Sequence, residues 1–202
     1  MPRDVEQLGQ VFTPPNVVAF MLDLCANKGR TLEPSAGDGA FFNELKARQA
    51  DCLGIEVDPR VAPDGALVRD FFDFPLSEQF DSIVGNPPYV RFQDVTVNTK
   101  KRLKSELFDA RSNLFLFFIE KCIRHLKPGG ELVFIVPREF IKLTAARKLN
   151  RWLFEQGSIT HFYETGDTRV FGEHTPNCAI FRFEKGRMDR HMADGRRFVE
   201  VD

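Results

Sequence analysis

Short apolar runs alternate with amphipathic segments along this chain. The apolar runs are brief and rich in Val, Ile and Leu, as buried strands are, and they fall at residues 31–33, 52–57, 66–68, 82–85 and 132–136. Between the runs, apolar residues recur at helical spacing, for example at Val17, Phe20, Met21 and Leu24. Strands that alternate with helices predict an α/β fold, with a mostly parallel sheet and helices on both faces.

Further elements are predicted between and beyond these runs. Helices are expected over residues 40–48, 113–126 and 140–154, with a short basic helix over 100–108. Strands at 159–163 and 178–183 are joined by a loop without a helical pattern, so the last strand is expected to run antiparallel. Residues 90–112 lack a clean periodicity, and we interpret them as a mobile insertion.

Composition and charge fit one globular domain. Of the 202 residues, 43% are hydrophobic, and apolar content falls after Lys185, so we predict a domain over 1–184 and a charged tail over 185–202. The 28 basic and 29 acidic residues leave a net charge of −1, which argues against a protein that coats nucleic acid by bulk electrostatics. The basic run at 100–104 stays open as a phosphate contact or as a solvated helix face.

Cysteine and histidine usage favours neither disulfides nor a metal site. The four cysteines lie far apart without a C-x-x-C spacing and are interpreted as reduced core thiols, and the four histidines are scattered. No apolar run reaches the roughly 18 residues that a membrane span needs. We therefore expect a cytoplasmic protein with no membrane partner and no bound metal.

The tetrapeptide Asn86-Pro87-Pro88-Tyr89 follows a predicted strand and carries the strongest chemical signal. Its prolines have no N–H for a sheet and fix φ, which predicts a stiff loop at the sheet edge where α/β folds bind ligands. The amide oxygen of Asn86 and the carbonyl of Pro87 suit both hydrogens of a planar amino group, while the Tyr89 ring suits the heterocycle that carries it. The alternative interpretation is a turn with a half-buried tyrosine.

Three further strand ends offer glycines or acids. The loop Glu33-Pro34-Ser35-Ala36-Gly37-Asp38-Gly39 separates a strand from a helix, but it lacks the glycine spacing of a dinucleotide site and the Lys of a P-loop. Glu56 ends the next strand, where an acid accepts hydrogen bonds from ribose hydroxyls. Asp70 and Phe71 follow the third strand and suit an adenine ring. Each acid alone is typical of a solvated strand end, but together they predict a cofactor that contains a nucleoside.

At these residues the chain resembles the N6-adenine-specific DNA methyltransferases of the gamma order, a type found in type I and type IIG restriction–modification enzymes. The resemblance extends over about residues 9–184 and follows the family's motif order, beginning with Gly9-Gln10-Val11-Phe12-Thr13-Pro14-Pro15. It implies a Rossmann-like, S-adenosylmethionine-dependent methyltransferase fold. It also implies cofactor contacts from Thr13, Glu33, Pro34, Ser35, Ala36, Gly37, Glu56, Asp70, Phe71, Asn86 and Phe118.

The same resemblance implies a reaction. A methyl group would pass from S-adenosyl-L-methionine to N6 of an adenine flipped out of double-stranded DNA, as part of a restriction–modification system. Asn86, Pro87, Pro88 and Tyr89 would form the catalytic loop, and Phe171 would stack on the target base opposite Tyr89. Residues 185–202 would be a tail or the start of a target-recognition domain, whose role a separate specificity subunit would otherwise supply.

Two other functions share parts of this pattern. Methyltransferases that act on a protein glutamine or on ribosomal RNA also use Asn-Pro-Pro-Tyr, although the N-terminal Thr-Pro-Pro segment favours the DNA group. A non-catalytic subunit that binds cofactor or docks on DNA is the alternative from another class, and the intact tetrapeptide argues against it.

Overall fold

The computed structural model describes residues 13–109, 111–165 and 177–188, and within these ranges seven strands form one sheet. The strands are β1 (Thr31–Glu33), β2 (Cys52–Glu56), β3 (Leu67–Val68), β4 (Phe80–Gly85), β5 (Leu126–Pro137), β6 (Gly157–Glu164) and β7 (Cys178–Lys185). Their order across the sheet is β3-β2-β1-β4-β5-β7-β6. The first five strands pair in parallel, whereas β7 runs antiparallel to both β5 and β6. The prediction of a mostly parallel sheet with an antiparallel last strand is confirmed.

Five α-helices lie among the described residues. They are α1 (Pro15–Leu24), α2 (Ala40–Ala47), α3 (Val97–Lys100), α4 (Leu114–His125) and α5 (Arg147–Gln156). Four short 3₁₀ segments accompany them, at Phe71–Asp73, Phe92–Asp94, Arg138–Ile141 and Thr144–Ala146. Proline begins α1, where its missing N–H costs no helical hydrogen bond, and the Asn113 side chain caps α4 by accepting from Phe115 N.

The strand order creates a reversal point between β1 and β4. From β1 the chain builds outward through β2 and β3, then crosses back so that β4 pairs on the other side of β1, with Leu32 opposite Ile83. In such sheets the connections after the two central strands leave in opposite directions, which opens a crevice at their carboxyl ends. The glycine loop follows β1 and the Asn-Pro-Pro-Tyr loop follows β4, so both open into this crevice.

Two predicted helices are wrong in extent. The helix expected over 140–154 begins only at Arg147, because Phe140 is fully buried against Phe181 and the Ile141 carbonyl accepts from the Asn150 side chain at 2.8 Å. The basic helix expected over 100–108 ends at Lys100 as α3. Leu103 and Phe108 are both buried, yet residues five apart lie about 140° apart on a helix, so one helix face does not bury both.

A buried ion pair connects α1 to the antiparallel end of the sheet. Glu131 of β5 and Arg182 of β7 are 4% and 5% exposed, and Glu131 Oε1 accepts from Arg182 Nη2. The other oxygen of Glu131 accepts from the backbone N–H groups of Ala26 and Asn27, at 2.8 and 3.2 Å. Arg182 Nη1 donates to Thr160 Oγ1 of β6 at 2.6 Å. One buried carboxylate therefore fixes the C-terminal end of α1 against three strands.

Replacement of Arg182 should destabilise the fold far more than loss of a surface pair. We expect Arg182→Met to lower the free energy of unfolding by about 3–5 kcal/mol, because it leaves the Glu131 carboxylate buried without its cation. Arg151 of the exposed Arg151–Glu155 pair is a matched control, and Arg151→Met should change stability by less than about 1 kcal/mol. Urea denaturation of both variants measures this, and equal effects would contradict the role given to Glu131.

Candidate functional site

A cavity lies at the carboxyl edge of the sheet, in the crevice between β1 and β4. Its walls come from the loops after β1, β2, β3 and β4, from α4, and from the residues that precede α1. Every residue predicted to contact a cofactor lies on these walls: Thr13, Glu33, Pro34, Ser35, Ala36, Gly37, Glu56, Asp70, Phe71, Asn86 and Phe118. The structure therefore brings together side chains and backbone from segments more than a hundred residues apart in sequence.

The glycine loop after β1 is held open by a carboxylate from the next strand. Glu56 Oε2 accepts from Gly37 N at 2.8 Å, and Oε1 accepts from Asp58 N at 2.9 Å. Gly37 has φ +54° and Gly39 has φ +89°, conformations that other residues rarely adopt. A Cβ on Gly39 would also lie 2.8 Å from Pro63 Cβ. Both oxygens of Glu56 keep lone pairs for donors that enter the cavity.

Glu33 is a buried acid on the cavity wall with an unmet acceptor. It is 1% exposed, and its Oε2 has no hydrogen-bond partner within the described parts of the chain. Burial raises the pKa of Glu33 well above its usual value, against the lowering effect of the Phe42 backbone N–H, and the charges of Asp38 and Glu56 raise it further. A cation or N–H donor in the cavity would satisfy this oxygen and favour the ionised carboxylate.

An aromatic wall stands at the far end of the cavity. Asp70 Oδ1 accepts from Phe72 N at 2.9 Å and so caps the 3₁₀ turn that carries Phe71. The rings of Phe71 and Phe118 stack with centroids 5.2 Å apart and an interplanar angle of 24°. Lys121 Nζ donates to the Phe72 and Phe74 carbonyls at 2.9 and 2.8 Å, which fixes the turn on α4. A planar ring that enters here meets a carboxylate at its edge and aromatic carbon at its face.

The Asn-Pro-Pro-Tyr loop joins the cavity at the other end. Asn86 Nδ2 donates to Thr13 Oγ1 at 3.3 Å, and the Asn86 carbonyl accepts from Ser35 Oγ at 3.4 Å. These contacts connect the loop to the segment before α1 and to the glycine loop. Asn86 and Pro88 line the cavity, while Pro87 and Tyr89 lie beyond its wall.

Tyr89 is anchored by its hydroxyl group. Its O–H donates to the Ile135 carbonyl of β5 at 2.9 Å, and burial of this end raises the pKa of Tyr89 well above its usual value. The ring as a whole is only partly buried and meets Phe115 edge-on at 6.3 Å. The ring is thus held at its tip, so its position is fixed without complete burial. Phe171, the predicted second aromatic, lies outside the described residues.

Several residues of the cavity wall were not predicted from the sequence. Five of them come from the segment after the Asn-Pro-Pro-Tyr loop, which was interpreted as a mobile insertion: Val90, Asp94, Val95, Thr96 and Thr99. The one available signal was Thr96, a Ser/Thr-type N-cap whose hydroxyl accepts from Thr99 N at 3.3 Å. A four-residue helix is too short for a periodic pattern to reveal it.

Fold and site together define a class. A parallel sheet with an antiparallel β7, a glycine loop after β1 and acids after β2 and β3 form the fold of S-adenosylmethionine-dependent methyltransferases. A solved structure from Listeria monocytogenes that is assigned to the class I enzymes of this type superimposes with a TM-score of 0.68. It is 21% identical, and the match covers 88% of this chain and 62% of that one.

Sequence comparisons narrow the class to a family. Residues 49–171 match the family model of the Eco57I restriction-modification methylase. The chain is 33% identical to the type II methyltransferase M.HincII of Haemophilus influenzae, over 89% of this chain and 38% of that protein. It is 34% identical to M.TthHB8I of Thermus thermophilus, over 96% of this chain and 49% of that protein. The chain belongs to the Eco57I restriction-modification methylase family, and it spans less than half the length of these two relatives.

The described residues contain neither a metal-binding cluster nor a membrane-spanning helix. No group of three or more His, Cys, Asp or Glu side chains is arranged to hold a metal ion. No helix there combines the length and apolar character needed to cross a membrane.

A buried histidine packs against the aromatic wall of the cavity. His125 of α4 is fully buried, its ring lies 5.5 Å from that of Phe71, and its Nδ1 lies 2.7 Å from the Glu78 carbonyl. Burial lowers the pKa of His125 to about 4, because the imidazolium loses its hydration among Phe71, Phe74 and Phe80. The neutral ring is therefore the form that the fold accepts.

Stability should fall on acidification because of this histidine. The pKa of His125 is lower in the folded chain than in the unfolded chain, so its contribution is complete above pH 6.5 and is lost as the pH falls towards 4. Between pH 7.5 and 5 we expect it to account for a loss of about 2 kcal/mol in unfolding free energy. Urea denaturation at both pH values should show that loss shrink in His125→Asn. An unchanged pH dependence in the variant would contradict the assignment.

Proposed function

We propose that this chain is the catalytic part of an adenine-specific DNA methyltransferase, which transfers a methyl group from S-adenosyl-L-methionine to the exocyclic N6 of adenine. The observation that carries the proposal is the junction at Asn86. The Asn86 side chain lines the cavity that suits the cofactor. Asn86 is also the first residue of the loop that suits an amino group. Membership of a restriction-modification methylase family supports DNA as the substrate and restriction–modification as the setting.

The cavity residues fit S-adenosylmethionine from end to end. Glu33, with its unmet oxygen, suits the ammonium group of the methionine part. Glu56 suits the ribose hydroxyls, since its oxygens retain lone pairs beside the glycine loop. Asp70 suits the adenine amino group, and Phe71 and Phe118 suit the ring face. The bound cofactor supplies an electrophilic methyl group on a sulfonium, which is a good leaving group.

In this proposal the catalytic loop holds and activates the target amine. The Asn86 amide oxygen and the Pro87 carbonyl accept the two N6–H groups, which favours a pyramidal nitrogen with its lone pair directed at the methyl group. The same acceptors stabilise the positive charge that develops on nitrogen as the bond forms. The hydrogen bond from Asn86 Nδ2 to Thr13 Oγ1 supports this orientation, because it assigns the nitrogen end of the amide to a contact within the protein. Catalysis then rests on positioning and charge stabilisation, without a strong base.

We propose further that the target adenine is flipped out of the duplex and stacks on Tyr89. Flipping costs a few kcal/mol, and stacking on aromatic rings returns about 1–3 kcal/mol per base. The hydroxyl of Tyr89, bonded to Ile135, supports this role because it fixes the ring before the base arrives. Phe171 is proposed as the second ring of the stack.

The proposed partner is double-stranded DNA, with the sequence read by a target-recognition domain or a specificity subunit. The chain spans less than half the length of M.HincII and M.TthHB8I, which supports a recognition surface in protein outside this domain. We propose residues 1–184 as the catalytic domain on this basis. We also propose a cytoplasmic location for the protein.

Loss of the Asn86 amide should abolish methyl transfer without abolishing cofactor binding. We expect Asn86→Ala to lower turnover by about 100-fold or more, since one acceptor of the developing charge is removed. Its affinity for S-adenosylhomocysteine should stay within a few-fold of the original, because most of the cavity wall is intact. Methylation of mixed DNA, followed by a digest scored for N6-methyladenine, measures turnover. Asn43→Ala on the exposed face of α2 is the matched control, and near-normal turnover of Asn86→Ala would overturn the proposed mechanism.

Loss of the Glu56 carboxylate should weaken the cofactor through its ribose. We expect Glu56→Ala to lower the affinity for S-adenosylhomocysteine by about 10- to 100-fold in calorimetry, the usual value of hydrogen bonds to a charged group. The 2′-deoxy analogue should bind the original protein less tightly than S-adenosylhomocysteine, and the variant should lose most of this preference. A preference that survives in Glu56→Ala would show that Glu56 acts only by shaping the loop.

A further inference from the structure

The segment after the catalytic loop folds back over the cavity. It leaves Tyr89 and Val90, is described over residues 91–109 and 111–113, and returns to its origin, where Leu114 N donates to the Val90 carbonyl at 2.9 Å. Val95 and Leu103 anchor it in the main apolar core. At and near the first of these anchors, Asp94, Val95, Thr96 and Thr99 line the cavity as its outer wall. The segment is thus packed on the site, on the side that faces solvent.

One hydrogen bond connects this wall to the acid at the adenine end. Thr99 Oγ1 donates to Asp70 Oδ2 at 2.8 Å, while Asp70 Oδ1 accepts from Phe72 N. Each carboxylate oxygen thus has one donor from a different element, and these two donors fix the plane of the carboxylate. Oδ2 keeps a second lone pair, and both Asp70 and Thr99 line the cavity.

Two cations of this segment, Lys100 and Arg102, are directed to the protein. Arg102 pairs with Asp73 of the 3₁₀ turn and donates to the Asn98 carbonyl at 2.6 Å. Lys100 Nζ donates to the Gln93 carbonyl at 3.0 Å and lies 5.1 Å from the Phe92 ring centre. These contacts favour a role for Lys100 and Arg102 in holding the segment on the cavity over one in binding phosphates.

We propose that Thr99 is a positioning residue for the adenine ring of the cofactor. Its hydroxyl group holds the Asp70 carboxylate with one lone pair directed at the exocyclic amino group of the bound adenine. The inference rests on the proposed function, since it takes the cavity to be the cofactor site. It adds that the segment between Tyr89 and α4, rather than the strand ends alone, determines selectivity for adenine. Because this segment is continuous with the catalytic loop, the adenine end of the cofactor site and the target-base loop belong to one piece of chain.

The test compares two ligands by calorimetry on the purified chain. The first is S-adenosylhomocysteine, and the second is its deamino analogue, with hydrogen in place of the 6-amino group. We expect Thr99→Val, which removes the hydroxyl at nearly constant volume, to weaken S-adenosylhomocysteine by about 5- to 20-fold and the analogue by less than about twofold. Thr99→Ser keeps the hydroxyl and should retain both affinities, which separates loss of the hydrogen bond from loss of packing.

Arg102→Met is the matched control, because it breaks the other contact of the segment with the 3₁₀ turn at a residue outside the cavity wall. It should change the two affinities by the same factor. Equal losses for both ligands in Thr99→Val would overturn the proposal, since they would show that Thr99 only helps to cover the cavity. Unchanged affinities would overturn it as well. If the original chain bound neither ligand, the proposed cofactor site itself would be refuted.

Discussion

The shape of the site depends on the hydrogen bonds that satisfy carboxylates at the carboxyl edge of the parallel sheet. Glu56 accepts from Gly37 N and Asp58 N, and Asp70 accepts from Phe72 N and Thr99 Oγ1. Each acid accepts one backbone N–H of its own loop and one donor from another segment, so the acids hold these segments together before any ligand binds. Glu33 is the exception, with one buried oxygen left unmet. Preorganised loops around the unmet oxygen of Glu33 make a site that favours a ligand with a cation or an N–H donor at this position.

The far end of the sheet supports this site through α1. Glu131 and Arg182 secure the C-terminal end of that helix, while Thr13 precedes its N-terminal end and accepts from Asn86. A rigid helix of ten residues therefore connects the buried ion pair with the catalytic loop. Burial of an ion pair is costly, and its benefit here is a fixed direction for α1 and hence for Thr13. The same logic applies to Tyr89, whose hydroxyl is fixed by the backbone of β5.

The fold and most of the cavity were predictable from local pattern, and the exceptions have physical reasons. Short β-branched runs followed by Gly, Pro or acids predict strands and the loops after them. The sequence therefore identified Glu33, Glu56, Asp70 and Asn86 as candidate site residues. The start of α5 was misplaced because Phe140 is apolar at a helical spacing but packs on Phe181 instead. The outer wall was missed because Thr99 is a polar residue in a four-residue helix that Thr96 caps, and the role of both residues depends on what they face.

The sequence by itself determined the order of elements, the chemistry at each strand end and the stiffness of the Asn-Pro-Pro-Tyr loop. These follow from periodicity, proline geometry and side-chain type, all of which act over a few residues. Only the tertiary structure decided which distant groups meet: Arg182 with Glu131 across 51 positions, Asn86 with Thr13 across 73, and Thr99 with Asp70 across 29. Such pairs have no local signature in the sequence, because water satisfies a hydroxyl or a carboxylate as well as a protein partner does. Their partners are set by the packing of the whole chain, which removes that water and leaves each group the donor or acceptor that lies nearest.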